Sequence, residues 1–236
     1  MCLCILYIYR TPDTYTRTAK VIIDESDQDA TLRSIGALTG GAAGISGNTS
    51  VANEMQALAS PDLMRDVVER LHLETGYVEE QLLREVELYT DTPVEMRLAG
   101  DNPQSSFSFT VSNAGEERIV LSGFKVGADG DILDEEIECA FRDTVHTPAG
   151  RLVLYPTNKV DNFVNDITVR WSNSSSVAKN IGRRLSITHP GKESTVVQLS
   201  LEDVFPTRAS DILSALIDIY NEEWVRSRNE AARNTS

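Results

Sequence analysis

Hydrophobic positions change period twice along this chain. Residues 14–24, TYTRTAKVIID, alternate and then turn apolar, the pattern of a strand. Residues 25–50 are acidic and then rich in Gly, Ala and Ser, which predicts a loop with one helical turn at 32–38. A helical period follows: Val51, Met55 and Leu58, then Leu63, Val67, Val68 and Leu71, fall on one face. Ser60-Pro61-Asp62 divides this stretch into two helices. Ser60 suits an N-cap, and Pro61 suits the first helical position, where no amide hydrogen is needed. Gly76 can end the second helix in a left-handed conformation. YVEEQLLREVELY, residues 77–89, predicts a third, shorter helix with Leu82, Leu83 and Val86 inward.

From Thr92 the period becomes two. TPVEMRLAG, SSFSFTVSN, ERIVLSGFKV, EIECAFRD, GRLVLYPT and DITVRWSN are strand-like, and turn residues at 100–103, 113–115, 128–130 and 148–150 separate them. SSVAKNIGRRL predicts a helix with Val177 and Ile181 inward, and LSITHPGKESTVVQLSLED a hairpin closing near Pro190-Gly191. A last helix carries Leu213, Leu216, Ile217, Tyr220 and Trp224 as its apolar stripe. The segregation of strands from helices predicts an α+β fold of mixed or antiparallel sheet rather than a doubly wound one. No internal repeat is visible.

Both ends are abrupt. Residues 1–9, MCLCILYIY, are apolar up to Arg10, too short for the roughly 20 residues that cross a membrane and without the leader and cleavage site of a signal peptide. They read either as a buried strand or as the outer half of a membrane helix. After Val225 the last helix is polar all round, so it frays or lies against another helix.

Composition narrows the function classes. The 236 residues can bury a sizeable core, and the 41% hydrophobic content is that of an ordinary globular protein. A net charge of −14 leaves no basic face for nucleic acid and keeps the body off anionic lipid. Three cysteines imply neither a disulfide framework nor a metal site. Gly47 is followed by Asn48 and Thr49 rather than the Lys of a phosphate-binding loop, so no nucleotide cofactor is expected. His72, His146 and His189 have no second ligand at metal spacing, and no nucleophile elbow or Cys-His pattern is present. Asp129, Asp131, Asp134 and Glu135 lack the order of a calcium loop and read as a hairpin turn.

Several stretches, taken in order, resemble the periplasmic part of the polysaccharide co-polymerases, the Wzz-type chain-length determinants. The variant joined to a cytoplasmic bacterial tyrosine kinase is the closer likeness. YTRTAKVIID is similar to the first strand after the first membrane helix, and VANEMQALASPDLMRDVVERLHL to the family's helical pair, with Asn53, Glu54 and the Ser60 junction. ELYTDTPVEMRL is similar to the Tyr-x-x-x-Pro lead into the next strand, ending on Pro93. TPAGRLVLYP, followed by VAKNIGRRLSITHPGKESTVVQLSLEDVFPTRASDILSALIDIYNEEWVRSRNEAARNT, is similar to the late hairpin and the start of the long helix at Pro206.

The resemblance implies a remnant of a membrane helix at 1–10, a periplasmic α+β domain at 11–205 with a β-rich insert at about 102–171, and at 206–236 the start of a projecting helical hairpin. It implies an inner-membrane protein whose copies form a homo-oligomeric ring. Its partners would be a polysaccharide polymerase, an outer-membrane export protein and the polysaccharide itself. It implies no catalytic, cofactor or metal residues; Asn53, Glu54, Ser60, Pro93 and Pro206 would be structural positions. No kinase activity is assigned to this stretch. Two other classes remain. A glycan- or peptide-binding module would show a groove of exposed aromatics, and a hydrolase would show clustered carboxylates or a buried His.

Overall fold

The computed structural model describes residues 13–23, 46–81, 84–100, 103, 105–115, 117–191 and 195–234. Its elements run β1 (Tyr15–Ile22), α1 (Ser46–Leu58), α2 (Pro61–Arg70), β2 (Thr75–Gln81), β3 (Arg84–Glu87), β4 (Val94–Leu98), β5 (Phe107–Gly115), β6 (Arg118–Val126), β7 (Ile132–Leu133), β8 (Ile137–Ala140), β9 (Thr144–Thr147), β10 (Gly150–Pro156), β11 (Ile167–Trp171), α3 (Ser174–Arg184), β12 (Leu185–Thr188), β13 (Val196–Asp203) and α4 (Pro206–Asn234). The fold is α+β, with antiparallel pairing throughout. Two compact units divide the chain. One spans His72–Val177, and the other joins Asp13–Leu71 to Ala178–Ser236. The β-rich stretch expected at about 102–171 lies within the first of these units.

The first unit is built from strand alternation. One sheet runs β3-β2-β11-β5-β6-β7 with β8 also on β6, and a second runs β4-β10-β9. Phe107, Phe109 and Val111 of β5 and Ile167, Val169 and Trp171 of β11 send alternate side chains into one core with Val94, Met96, Leu152 and Leu154 of the second sheet. In β6 the alternation Ile119, Leu121 would next put Gly123 inward. A bulge opposite Phe109, with Gly123 at φ 60°, shifts the phase so that Phe124 enters the core instead. Phe124 then stacks on Phe109 at 5.5 Å, and Phe107 stacks on Trp171 at 5.4 Å. The buried Tyr77 oxygen accepts the Met96 amide at 2.8 Å, tying β2 to β4.

Burial pushes the Tyr77 phenol up to about 12, an effect the Met96 hydrogen bond only partly opposes. Below pH 10 the phenol is protonated in both folded and unfolded chains. Above 10 the unfolded chain ionises first, so the unit is expected to lose stability as pH rises from about 10 to 12. Denaturant midpoints across that range should fall in the wild type and less in Tyr77→Phe.

Several sequence expectations are corrected here. Residues 77–81 and 84–87 are strands rather than a helix: β2 and β3 pair with each other, and Thr75–Glu79 pair with β11. Glu, Gln, Leu and Arg favour a helix locally, but the strand partner and the burial of Tyr77 and Val78 outweigh that preference. Leu82 and Leu83 lie outside the described residues, as do residues 1–12 with the apolar start and residues 24–45 with the proposed turn at 32–38. The second helix does not end at Gly76. It ends at Arg70, where the Leu71 amide reaches the Val67 carbonyl at 3.0 Å and His72 takes the left-handed φ of 52°. Gly76 lies within β2 opposite Arg170. The first helix begins at Ser46 rather than beyond Ser50. The strands β7 and β9 were not anticipated. The Asp129 turn is a hairpin turn as read, and Gly130 is required there: a Cβ at that position would lie 2.0 Å from the Val126 carbonyl oxygen.

In the second unit β13 is the central strand between β1 and β12. Val197, Leu199 and Leu201 alternate inward, and Ala209, Ile212, Leu213, Leu216 and Ile219 of α4 repeat at helical spacing. Val51 and Leu58 of α1 and Leu63, Met64, Val67 and Val68 of α2 are buried with them, and α4 packs on α1, α2, β1 and β13.

Candidate functional site: the root of the long helix

Side-chain chemistry in the second unit gathers where α4 leaves the sheet. Pro206 opens α4 at a position that needs no amide hydrogen, and its carbonyl accepts the Ser210 hydroxyl at 3.0 Å. Immediately before it lies Asp203, the one buried charged side chain among the described residues. Its Oδ1 accepts from Arg208 Nη2 at 2.6 Å, Arg208 Nε at 3.0 Å and the Phe205 amide at 2.9 Å. Its Oδ2 accepts from Arg184 Nη1 at 2.8 Å. One carboxylate thus joins the end of β13, the first turns of α4 and the end of α3. Burial alone would raise its pKa. The Arg208 hydrogen bonds, the Phe205 amide and Arg184 outweigh burial and hold it below the ordinary Asp range. With both oxygens occupied by cationic donors, Asp203 is an anchor rather than a proton carrier.

Two further contacts bind α4 to the helical pair. The Tyr220 hydroxyl donates to Glu54 Oε2 of α1, and burial with that bond pushes the phenol up. Arg70, in the last turn of α2, grips Glu222 in a two-pronged pair at 2.6 and 3.0 Å, which holds the Glu222 carboxyl below its usual range. Beyond this point residues 221–227 of α4 are exposed, and the helix continues to Asn234. Removing the hydroxyl in Tyr220→Phe is expected to cost about 1 kcal/mol, read as a lower denaturant midpoint at unchanged slope.

The five positions singled out in the sequence fall out as follows. Glu54 receives the Tyr220 bond, and Asn53 beside it is exposed. Ser60 stands at the N-cap of α2 with Pro61 in the first turn; its carbonyl accepts the Met64 amide at 3.1 Å, but its side chain makes no capping bond. Pro206 starts α4. Pro93 belongs to the other unit, where it is buried and its carbonyl accepts the Thr157 amide at 3.0 Å. Sequence reasoning missed Asp203, Arg184 and Arg208. Their only signal was an acidic residue at a strand end, five before an Arg across a proline.

Other candidates disperse. Trp171 is core, and Val177 is half-buried beside the buried Ala178. Trp224, expected in the α4 stripe, is 40% exposed, because the buried face of α4 runs through Ile212, Leu216 and Ile219 instead. Tyr15 and Trp224 are the exposed aromatics among the described residues, on different elements. His72 and His146 are exposed and His189 is half-buried. Cys139 packs at the core margin, where burial raises its pKa. Among the described residues no His, Cys, Asp and Glu cluster has metal-binding geometry, and no helix is long and apolar enough to cross a membrane. No protein-family model and no curated protein matches the chain.

Proposed function

We propose that this chain is a non-catalytic periplasmic domain of an inner-membrane, oligomeric polysaccharide co-polymerase, which regulates the chain length and export of a surface polysaccharide. The observation that carries this reading is the pairing of β1 with β13. It unites, in one α+β unit, the first described strand of the chain and the strand that launches the long helix. The resemblance sets the first of these strands directly after the first membrane helix and the second directly before the long projecting helix. A sheet that joins them, braced by Asp203 with Arg208 and Arg184, suits a base from which a long helix rises. The exposed, mainly polar turns of α4 beyond Asn221 suit a second helix packed alongside. Such a role depends on shape and assembly rather than on bond-making groups. Partners on this reading are further copies of the chain, a polysaccharide polymerase and an outer-membrane export protein, with a fused or separate tyrosine kinase in the cytoplasm.

The test is made in the native host. Deleting the gene is expected to replace a narrow distribution of polysaccharide lengths with a broad, unregulated one on a gel, and plasmid-borne wild type should restore it. A length distribution untouched by the deletion overturns the reading.

A further inference from the structure

We propose, on the oligomeric reading above, that copies of this chain join head to tail by pairing the outer edge of β7 in one copy with the outer edge of β1 in another. Both strands end a sheet, and among the described residues no strand lies beyond either. An unpaired edge presents free amide and carbonyl groups and templates further pairing unless its charges prevent it.

The charges on these two edges are opposite. β7 lies within Asp131-Ile132-Leu133-Asp134-Glu135-Glu136, all exposed and without a basic residue, with Ile132 73% and Leu133 41% exposed. β1 carries exposed Arg17 and Lys20, has no acidic residue, and ends on Ile22 at 75% exposure. Among the described residues, Arg17, Lys20, Asp131 and Asp134 make no ion pair.

The spacing agrees as well. Arg17 and Lys20 are three residues apart, and so are Asp131 and Asp134. At the rise of a strand each pair spans about 10 Å. One antiparallel register sets Arg17 against Asp134 and Lys20 against Asp131, with Ala19 opposite Ile132 and Thr18 opposite Leu133. The parallel register exchanges the charge partners and keeps both pairs. Unlike charges directly opposed across strands stabilise the pair, and like charges destabilise it. Two β7 edges together would oppose carboxylates, and two β1 edges would oppose cations. The charges that exclude like edges therefore favour the unlike pair. Contact between two different surfaces of one chain is heterologous: it closes into a ring or, where the rotation does not close, runs on as a filament.

Two variants test this. Arg17→Glu with Lys20→Glu leaves both edges acidic, and Asp131→Lys with Asp134→Lys leaves both basic. In sedimentation velocity of the full chain at about 50 mM salt, the wild type is expected to associate, and more weakly at about 0.5 M. Each variant alone is expected to associate at least roughly tenfold more weakly than wild type. An equimolar mixture is expected to regain wild-type association, since each basic edge then meets an acidic one; that recovery also shows both variants to be folded. Association undiminished in either variant alone, a mixture that stays monomeric, or a wild type that is monomeric throughout overturns the pairing. The chain-length reading survives any of these, because the host deletion does not depend on which edges meet.

Discussion

Replacing Asp203 with Ala is expected to destabilise the second unit by about 3–5 kcal/mol, the usual cost of removing one partner from a buried ion pair. The loss comes less from the missing bonds than from what stays behind. The Arg208 side chain, only 14% exposed, keeps its charge but loses its carboxylate, and the Phe205 amide loses its acceptor. Denaturant unfolding should show the lower midpoint. Hydrogen exchange should rise most in the end of α3, β13 and the first turns of α4, the elements that Asp203 joins. The effect depends on pH in a definite direction. Because the folded chain holds Asp203 below its ordinary value of 3.8, its contribution is full above that value and is lost as pH falls through the depressed folded value. The wild type and Asp203→Asn should therefore differ at neutral pH and converge in strong acid. A difference that stays constant down to the acid limit would mean that the pair contributes shape rather than charge.

Phe109→Ala is expected to cost the first unit about 3–5 kcal/mol, the range for deleting a buried ring whose cavity cannot collapse. Phe109 is fully enclosed and stacks on Phe124 at 5.5 Å and Phe107 at 6.2 Å, so its removal takes a packing partner from two other rings. Near-ultraviolet circular dichroism should weaken along with the denaturant midpoint. Val126→Ala, at an exposed position on the neighbouring strand, serves as the control and should change stability by less than about 0.5 kcal/mol. Equal effects at the two positions would contradict the core described here.

The parts legible in the sequence are those where local pattern and final environment agree. Period-two runs became β4, β5, β6, β8, β10 and β11, and the helical pair broke at Ser60-Pro61 as read. Glu54 was picked out in the sequence, and its place facing the last helix is physical: it takes the Tyr220 hydroxyl. Residues 77–89 misled because helix preference is a local quantity, whereas a strand is completed by a partner far away in sequence, here β11. The α4 stripe was right at Leu213 and Leu216 and wrong at Trp224, by a similar error. Counting large side chains favoured Trp224, while the packed face used Ala209, Ile212 and Ile219.

By itself, the sequence determined the fold class, the positions of most strands, the two-helix break and the long last helix. These follow from periodicity, proline and capping chemistry, which act within a few residues. Only the tertiary structure decided that Tyr77 braces β4, that a bulge at Gly123 turns Phe124 inward, and that Asp203 gathers Arg184 and Arg208 at the root of α4. It also left two oppositely charged strand edges open. Each of these depends on which distant segments meet, and that is set by burying the greatest apolar area with every buried polar group bonded. No window along the chain contains that information.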